Sequence, residues 1–131
     1  MTVSNEVSLL DRMLGDGLLA SACPTREVLD HITSRWGVLL LVALSERPMR
    51  WGELRRVVDG ISEKMLAQTL RTLEVDGIVH REVTPSVPPR VDYWLTDRGR
   101  SLVQHLLPLV SWVADHADEI VAGRRPAASR T

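Results

Sequence analysis

The sequence predicts a mainly α-helical chain with one small β-hairpin wing, an α+β arrangement in which helices build the core and the hairpin lies beside it. Three observations lead there. Apolar residues recur at helical spacing through residues 62–76 and 97–122. Between those stretches the period changes to two, over Ile78–Thr84 and Arg90–Leu95, as half-buried strands require. The ends of the middle helix also carry capping residues, so its limits do not depend on periodicity alone.

Composition sets the frame. A length of 131 residues suits one domain, and 44% hydrophobic with 25% charged residues is ordinary for a soluble globular chain. The longest apolar run, Val38–Leu44, is far too short to span a bilayer, so no membrane partner is expected. Glu6 and Asp11 stand where a signal peptide would need a basic region and an apolar run, which predicts a cytoplasmic protein. The lone Cys23 excludes an internal disulfide and a cysteine-cluster zinc site, and the four His show no ligand spacing with it. With no phosphate loop, GxSxG or HExxH, neither an enzyme nor a cofactor nor a bound metal is expected.

Taken in order, residues 1–22 form an N-terminal extension with two open readings. Leu9, Leu10, Met13 and Leu14 have helical spacing, but Gly15 and Gly17 soon interrupt it, so a dimerisation helix and a loose tail are both consistent. Cys23-Pro24 starts the first clear helix, with Pro24 at N1, Glu27 in the first turn and an apolar face of Val28, Leu29 and Ile32. A second helix from about Trp36 to Leu44 is apolar nearly all round, which predicts a central buried helix ending before Pro48.

A short helix from Trp51 to Val58 then leads into the turn Asp59-Gly60-Ile61, where Gly60 can take positive φ. Ser62 is a good N-cap for the next helix, Ile61 and Leu66 are placed for a hydrophobic staple, and Glu63 suits the positive end of the helix dipole. At its far end Gly77 is placed as C′, with Leu73 and Ile78 spaced for a Schellman contact. At 100° per residue Leu66, Leu70 and Leu73 share one stripe, while Lys64, Gln68, Arg71 and Val75 lie opposite.

The strands follow, joined by Pro85-Ser-Val-Pro-Pro89, which lacks amide donors at three places and suits a hairpin tip. Thr96 caps a long C-terminal helix with Asp97 in its first turn, and Pro108 is expected to kink or split it. Its apolar residues, including Leu102, Leu106, Leu109, Val113, Ile120 and Val121, exceed what one small domain needs to cover a helix. Pairing with a second copy is therefore expected, against the plainer reading of packing on its own chain. Residues 123–131 are expected to be a flexible tail.

Helix, turn, helix and hairpin is the order of a winged helix-turn-helix. It spans residues 23–122, with the helix-turn-helix at about 50–77, the wing at about 78–95 and the C-terminal helix at 97–122. A formal net charge of −1 would not by itself suggest nucleic acid, but residues 50–100 carry eight Arg and one Lys against eight acids, a local +1.

The chain resembles the HxlR family of bacterial transcriptional regulators, which are MarR-like winged helix-turn-helix dimers. The resemblance is carried by CPTREVLDHI, RWGVLLLVAL, MRWGELRRVVDGISEKMLAQTLRTLEVDGIVHREV, VPPRVDYWLTDRG and LVSW, from Cys23 to about Trp112. Thr33-Ser34-Arg35 and Trp51 depart from the family's usual Gly-Gly-Lys and Phe, neither of them on the second helix of the motif. The resemblance implies a homodimer, formed through N- and C-terminal helices, that binds an inverted-repeat operator in double-stranded DNA, more often as a repressor. Lys64, Gln68 and Arg71 are the expected base-reading residues, since Arg pairs with guanine and Gln with adenine. Ser62 and Glu63 are candidates for phosphate and cytosine, or serve the cap alone. Arg50 and Arg90 are expected to meet phosphate or the minor groove. Arg55 and Arg56 are expected to be solvated charges. The alternative is a winged helix used for protein–protein interaction without sequence-specific DNA binding, although such modules usually lose the polar face present here.

Cys23 has two readings. A thiol before a helix N-terminus sits near free amides and the positive dipole end, which favours thiolate and suits redox or electrophile sensing. The resemblance points the same way, since several members sense oxidants, quinones or aldehydes at this Cys-Pro position. The plainer reading is a small buried residue with an inert S–H. A small-molecule pocket at the dimer interface, lined by Trp36, Trp112 or the C-terminal helix, is a further option for the input signal, against the plainer reading of core tryptophans.

Overall fold

The computed structural model describes residues 10, 11 and 23–124. The expectations for 1–22 and for the end of the tail lie outside these residues, apart from Leu10 and Asp11, which are helical. The element order is α1 (Pro24–Thr33), α2 (Arg35–Glu46), β1 (Met49–Arg50), α3 (Trp51–Val57), α4 (Glu63–Val75), β2 (Val79–Thr84), β3 (Arg90–Leu95) and α5 (Asp97–Ala122). The fold is that of a winged helix, mostly helical with a small antiparallel sheet.

The sheet has three strands in the order β1-β3-β2, one more than the sequence suggests. Two residues cannot display a period of two, so β1 becomes visible only through its pairing, Met49 with Tyr93 and Arg50 with Asp92. In the hairpin the register runs from Val79↔Leu95 to Thr84↔Arg90. Tyr93 and Leu95 are buried and Val91 packs on the core, as the alternation predicts.

The core forms where α2 meets α4, α5 and the sheet. Leu40, Leu41 and Leu44 of α2 are buried with Leu54, Leu66, Leu70, Leu73, Val79, Val103 and Leu106. α2 therefore is the central helix. Ser34 caps it, accepting from the Gly37 amide at 3.1 Å.

α1 behaves differently. Pro24 is at N1 as expected, but no residue of the helix is buried, and Val28 and Leu29 remain exposed. Only Ile32, near its end, packs against the core.

α5 runs unbroken through Pro108, so the proline does not split it. A proline removes one amide donor, and the turns on either side keep theirs. Thr96 caps the helix by accepting from the Gly99 amide at 3.1 Å. Gly99 is where α5 approaches the rest of the fold most closely: a Cβ there would lie 2.2 Å from the Ile78 carbonyl oxygen. Among the described residues no single helix is long and apolar enough to cross a membrane.

Candidate nucleic-acid interface

The second helix of the motif, α4, is fixed at both ends by its own sequence. Gly60 has φ +88° in the turn before it, and Ser62 Oγ accepts from the Met65 amide at 3.1 Å. At the other end Gly77 has φ +74°, the Gly77 amide donates to Glu74 O and the Ile78 amide to Leu73 O, each at 2.9 Å. That pair of bonds is the Schellman motif. Leu66, Leu70 and Leu73 are 0–2% exposed, so the helix is held on α2 by the stripe its spacing predicts.

With that face buried, the opposite face is turned outward. Lys64, Gln68 and Arg71 are all exposed on α4, and none forms an ion pair among the described residues. Val75, on the same face, is 75% exposed.

The remaining candidate residues are engaged in ways the sequence does not show. Glu63 pairs with Arg55 across the turn, Nη1 to Oε1 3.2 Å, and both side chains stay at least half exposed. Ser62 is occupied as the cap. Arg50 lies at the N-cap of α3 and is exposed, and its amide donates to Glu53 Oε1 at 3.3 Å. The Arg47 guanidinium, hydrogen bonded to Glu53, and then the Arg50 amide hold the Glu53 carboxyl below its ordinary range. Arg90, at the start of β3, donates to both carboxylate oxygens of Asp92, at 3.0 and 3.4 Å.

Two grooves flank this surface. One of about 520 Å³ runs between α4 and the sheet and is lined by Trp51, Ala67, Arg71, Glu74, Arg81 and Tyr93. A second of about 560 Å³ lies between the start of α3 and the hairpin tip and is lined by Arg50, Trp51, Ser86, Pro88 and Arg90. Each groove holds two arginines. Arg81 is the residue that sequence reasoning passes over: its cross-strand partner is Tyr93, so it lies on the sheet face turned toward α4, where a charge among valines is the available signal.

Cys23 is the N-cap of α1, and its carbonyl accepts from the Glu27 amide at 3.0 Å. The residue is 5% exposed. Trp36 packs against the core and Arg35 stacks over it at 4.4 Å, whereas Trp112 is 55% exposed and stacks on His116, ring centroids 4.2 Å apart. The two tryptophans are thus not equivalent.

The chain is similar to known proteins over most of its length. The model of the HxlR-like helix-turn-helix family matches residues 31–121. The uncharacterized HTH-type transcriptional regulator YtfH of Escherichia coli K12 is 47% identical over 120 residues, covering 92% of this chain and 95% of that protein. Among solved structures, the putative transcriptional regulator ytfH from Salmonella typhimurium is 48% identical with a TM-score of 0.76, over 80% of this chain and 94% of that one. The redox regulator HypR in its oxidized form is 41% identical with a TM-score of 0.65, over 71% of this chain and 96% of that one.

Proposed function

Since the chain belongs to the HxlR-like helix-turn-helix family and is a transcriptional regulator of that type, we propose that it acts as a homodimeric repressor reading an inverted-repeat operator with α4. The observation that carries this reading is the outward face of that helix. Its capped ends and buried leucine stripe leave Lys64, Gln68 and Arg71 exposed together and without acidic partners among the described residues.

In this reading Arg71 and Gln68 supply base contacts and Lys64 a guanine or phosphate contact at the entry to the major groove. Arg50 and Arg90 hold phosphate at the edge of the hairpin, and Arg81 joins Arg71 in doing so between the wing and α4. Glu63 and Ser62 act through the helix end: the Ser62 cap, and more weakly the exposed Arg55–Glu63 pair, tie the start of α4 to the turn. The second copy docks on the exposed apolar part of α5, where Leu109, Trp112, Val113, Ile120 and Val121 stand uncovered. Val28 and Leu29 of α1 belong to the same kind of surface.

The input signal in this reading is an oxidant or electrophile acting at Cys23. The similar HypR is a redox regulator whose oxidized form has been solved, and Cys23 is this chain's one thiol. Because Cys23 is buried, reaction there requires the start of α1 to move, which ties modification to a change of shape.

Fluorescence anisotropy on DNA upstream of its own and the neighbouring gene, across a salt series and with or without diamide, tests this function. Tight binding to one fragment that weakens steeply with salt is expected, because neutralised phosphates release counterions. Equal binding to random DNA at moderate salt would favour the interaction-module alternative. A Cys23→Ser protein that responds to diamide as the wild type does would remove Cys23 from the mechanism.

A further inference from the structure

The exit of α4 is a junction of three helices. His31, in the last turn of α1, donates from Nδ1 to Asp76 Oδ2 at 2.7 Å, across 45 residues of sequence. Asp76 is the C-cap of α4. From α5, Arg98 Nη1 donates to the Asp76 carbonyl at 2.9 Å, and Thr96 Oγ1 donates toward the carbonyls of Gly77 and Ile78 at 2.6 and 3.1 Å. The Schellman amides satisfy the carbonyls of Glu74 and Leu73, and Arg98 of α5 supplies the donor for the C-cap carbonyl of Asp76.

α1 is attached in an unusual way. None of its residues is buried, while Cys23, its N-cap, is, and Ile32 near the other end packs on the core. Ten helical residues span about 15 Å, so α1 resembles a short strut seated at both ends. Between it, the exit of α4 and the start of α5 lies a cleft of about 440 Å³ lined by Val28, Ile32, Asp76, Ile78, Arg98 and Leu102. The His31–Asp76 bond joins α1 to α4 beside this opening. The two side chains are 31% and 17% exposed, screened enough for the bond to count.

We propose that the His31–Asp76 pair is a positioning contact through which α1 sets the tilt of α4, and thereby the affinity of its outward face for operator DNA. The proposal rests on the DNA-binding reading of α4. The leucine stripe fixes the middle of α4 on α2, so a small angular change is most easily imposed at its exit. A displacement of α1, whether begun at Cys23 or at the exposed Val28 and Leu29, reaches that exit through His31. His31 and Asp76 are positioning residues and touch no base.

The test is a double-mutant cycle on the full chain with His31→Ala, Asp76→Ala and both, and with His31→Gln as the variant that can still donate to Asp76. Operator affinity, affinity for random duplex and thermal unfolding are measured for each. Each alanine variant is expected to weaken operator binding roughly three- to tenfold, the range open to one part-buried hydrogen bond, with random-duplex binding unchanged. The double variant should be no worse than the singles, and His31→Gln should stay close to wild type. Additive losses, or lowered thermal stability with unchanged operator affinity, would overturn the proposal in favour of a merely structural bond.

Two arms separate this outcome from failure of the DNA-binding reading. Lys64→Ala leaves the pair intact and should weaken operator binding by itself; if neither it nor the wild type distinguishes any DNA, the reading of α4 fails. Amide exchange needs no DNA. The Gly77 and Ile78 amides, which close the Schellman motif, should exchange faster in His31→Ala than in wild type, and unchanged exchange would overturn the positioning role directly.

Discussion

α4 and the second half of α5 are both amphipathic helices with aliphatic faces, yet they end in opposite situations. α4 buries its stripe within the chain and turns a polar face outward. The later part of α5 turns its apolar face outward, with Leu109 58% exposed and Ile120 48% exposed. The same helix a few turns earlier buries Val103 and Leu106 in the core. Apolar periodicity thus says that a face needs cover and leaves open what provides it. For α4 the cover is α2; for α5 we assign a second copy of the chain. The outward faces differ accordingly: one polar, the other apolar.

Substitutions can break that contrast at either helix. Leu70→Ala removes a residue at the centre of the α4 stripe and should cost about 2–5 kcal/mol in denaturant unfolding, abolishing DNA binding only because the domain unfolds. Val113→Asp on α5 should leave the helical circular dichroism intact and turn a dimer into a monomer at micromolar concentration, read by sedimentation equilibrium. A Val113→Asp protein that loses stability in proportion, with unchanged association state, would place that face on its own chain.

Smaller effects sharpen the contrast on the polar side. Arg71→Ala should cost about 1–3 kcal/mol against the preferred base at one position, with folding stability unchanged. Ser62→Ala should cost about 1 kcal/mol of stability through the lost cap and lower operator affinity only as α4 frays. Arg50→Ala should weaken binding to all sequences alike and reduce the slope of log affinity against log salt by about 0.9.

The contrast also explains which parts of the molecule are legible in the sequence. α4 is legible because each end carries a local chemical mark, a hydroxyl cap and glycines that adopt positive φ without steric cost, and because its phase fixes which side chains face outward. The hairpin is legible from its period and its proline-rich tip. β1 is not, since a two-residue strand exists only through its partner. Of the kink or split expected at Pro108, the split does not occur in a helix anchored on the core through Val103 and Leu106. The ties between elements around the candidate site are the least legible. Arg55–Glu63 spans a turn whose geometry must first be known, and His31–Asp76 joins residues that no local pattern connects. Arg81 is open to inference from strand alternation, but only a folded sheet brings it opposite Arg71.

The central claim, that α4 reads DNA as one half of a symmetric pair, is tested most directly by selection from a random-sequence duplex pool with wild-type protein and the Lys64→Ala/Gln68→Ala/Arg71→Ala triple variant in parallel. The account predicts that wild type enriches an inverted repeat whose half-sites lie about one helical turn, roughly 10 base pairs, apart or a multiple of it, and that the triple variant, folded and dimeric, enriches none. Enrichment of the same motif by both proteins, or of no motif by the wild type, would contradict it.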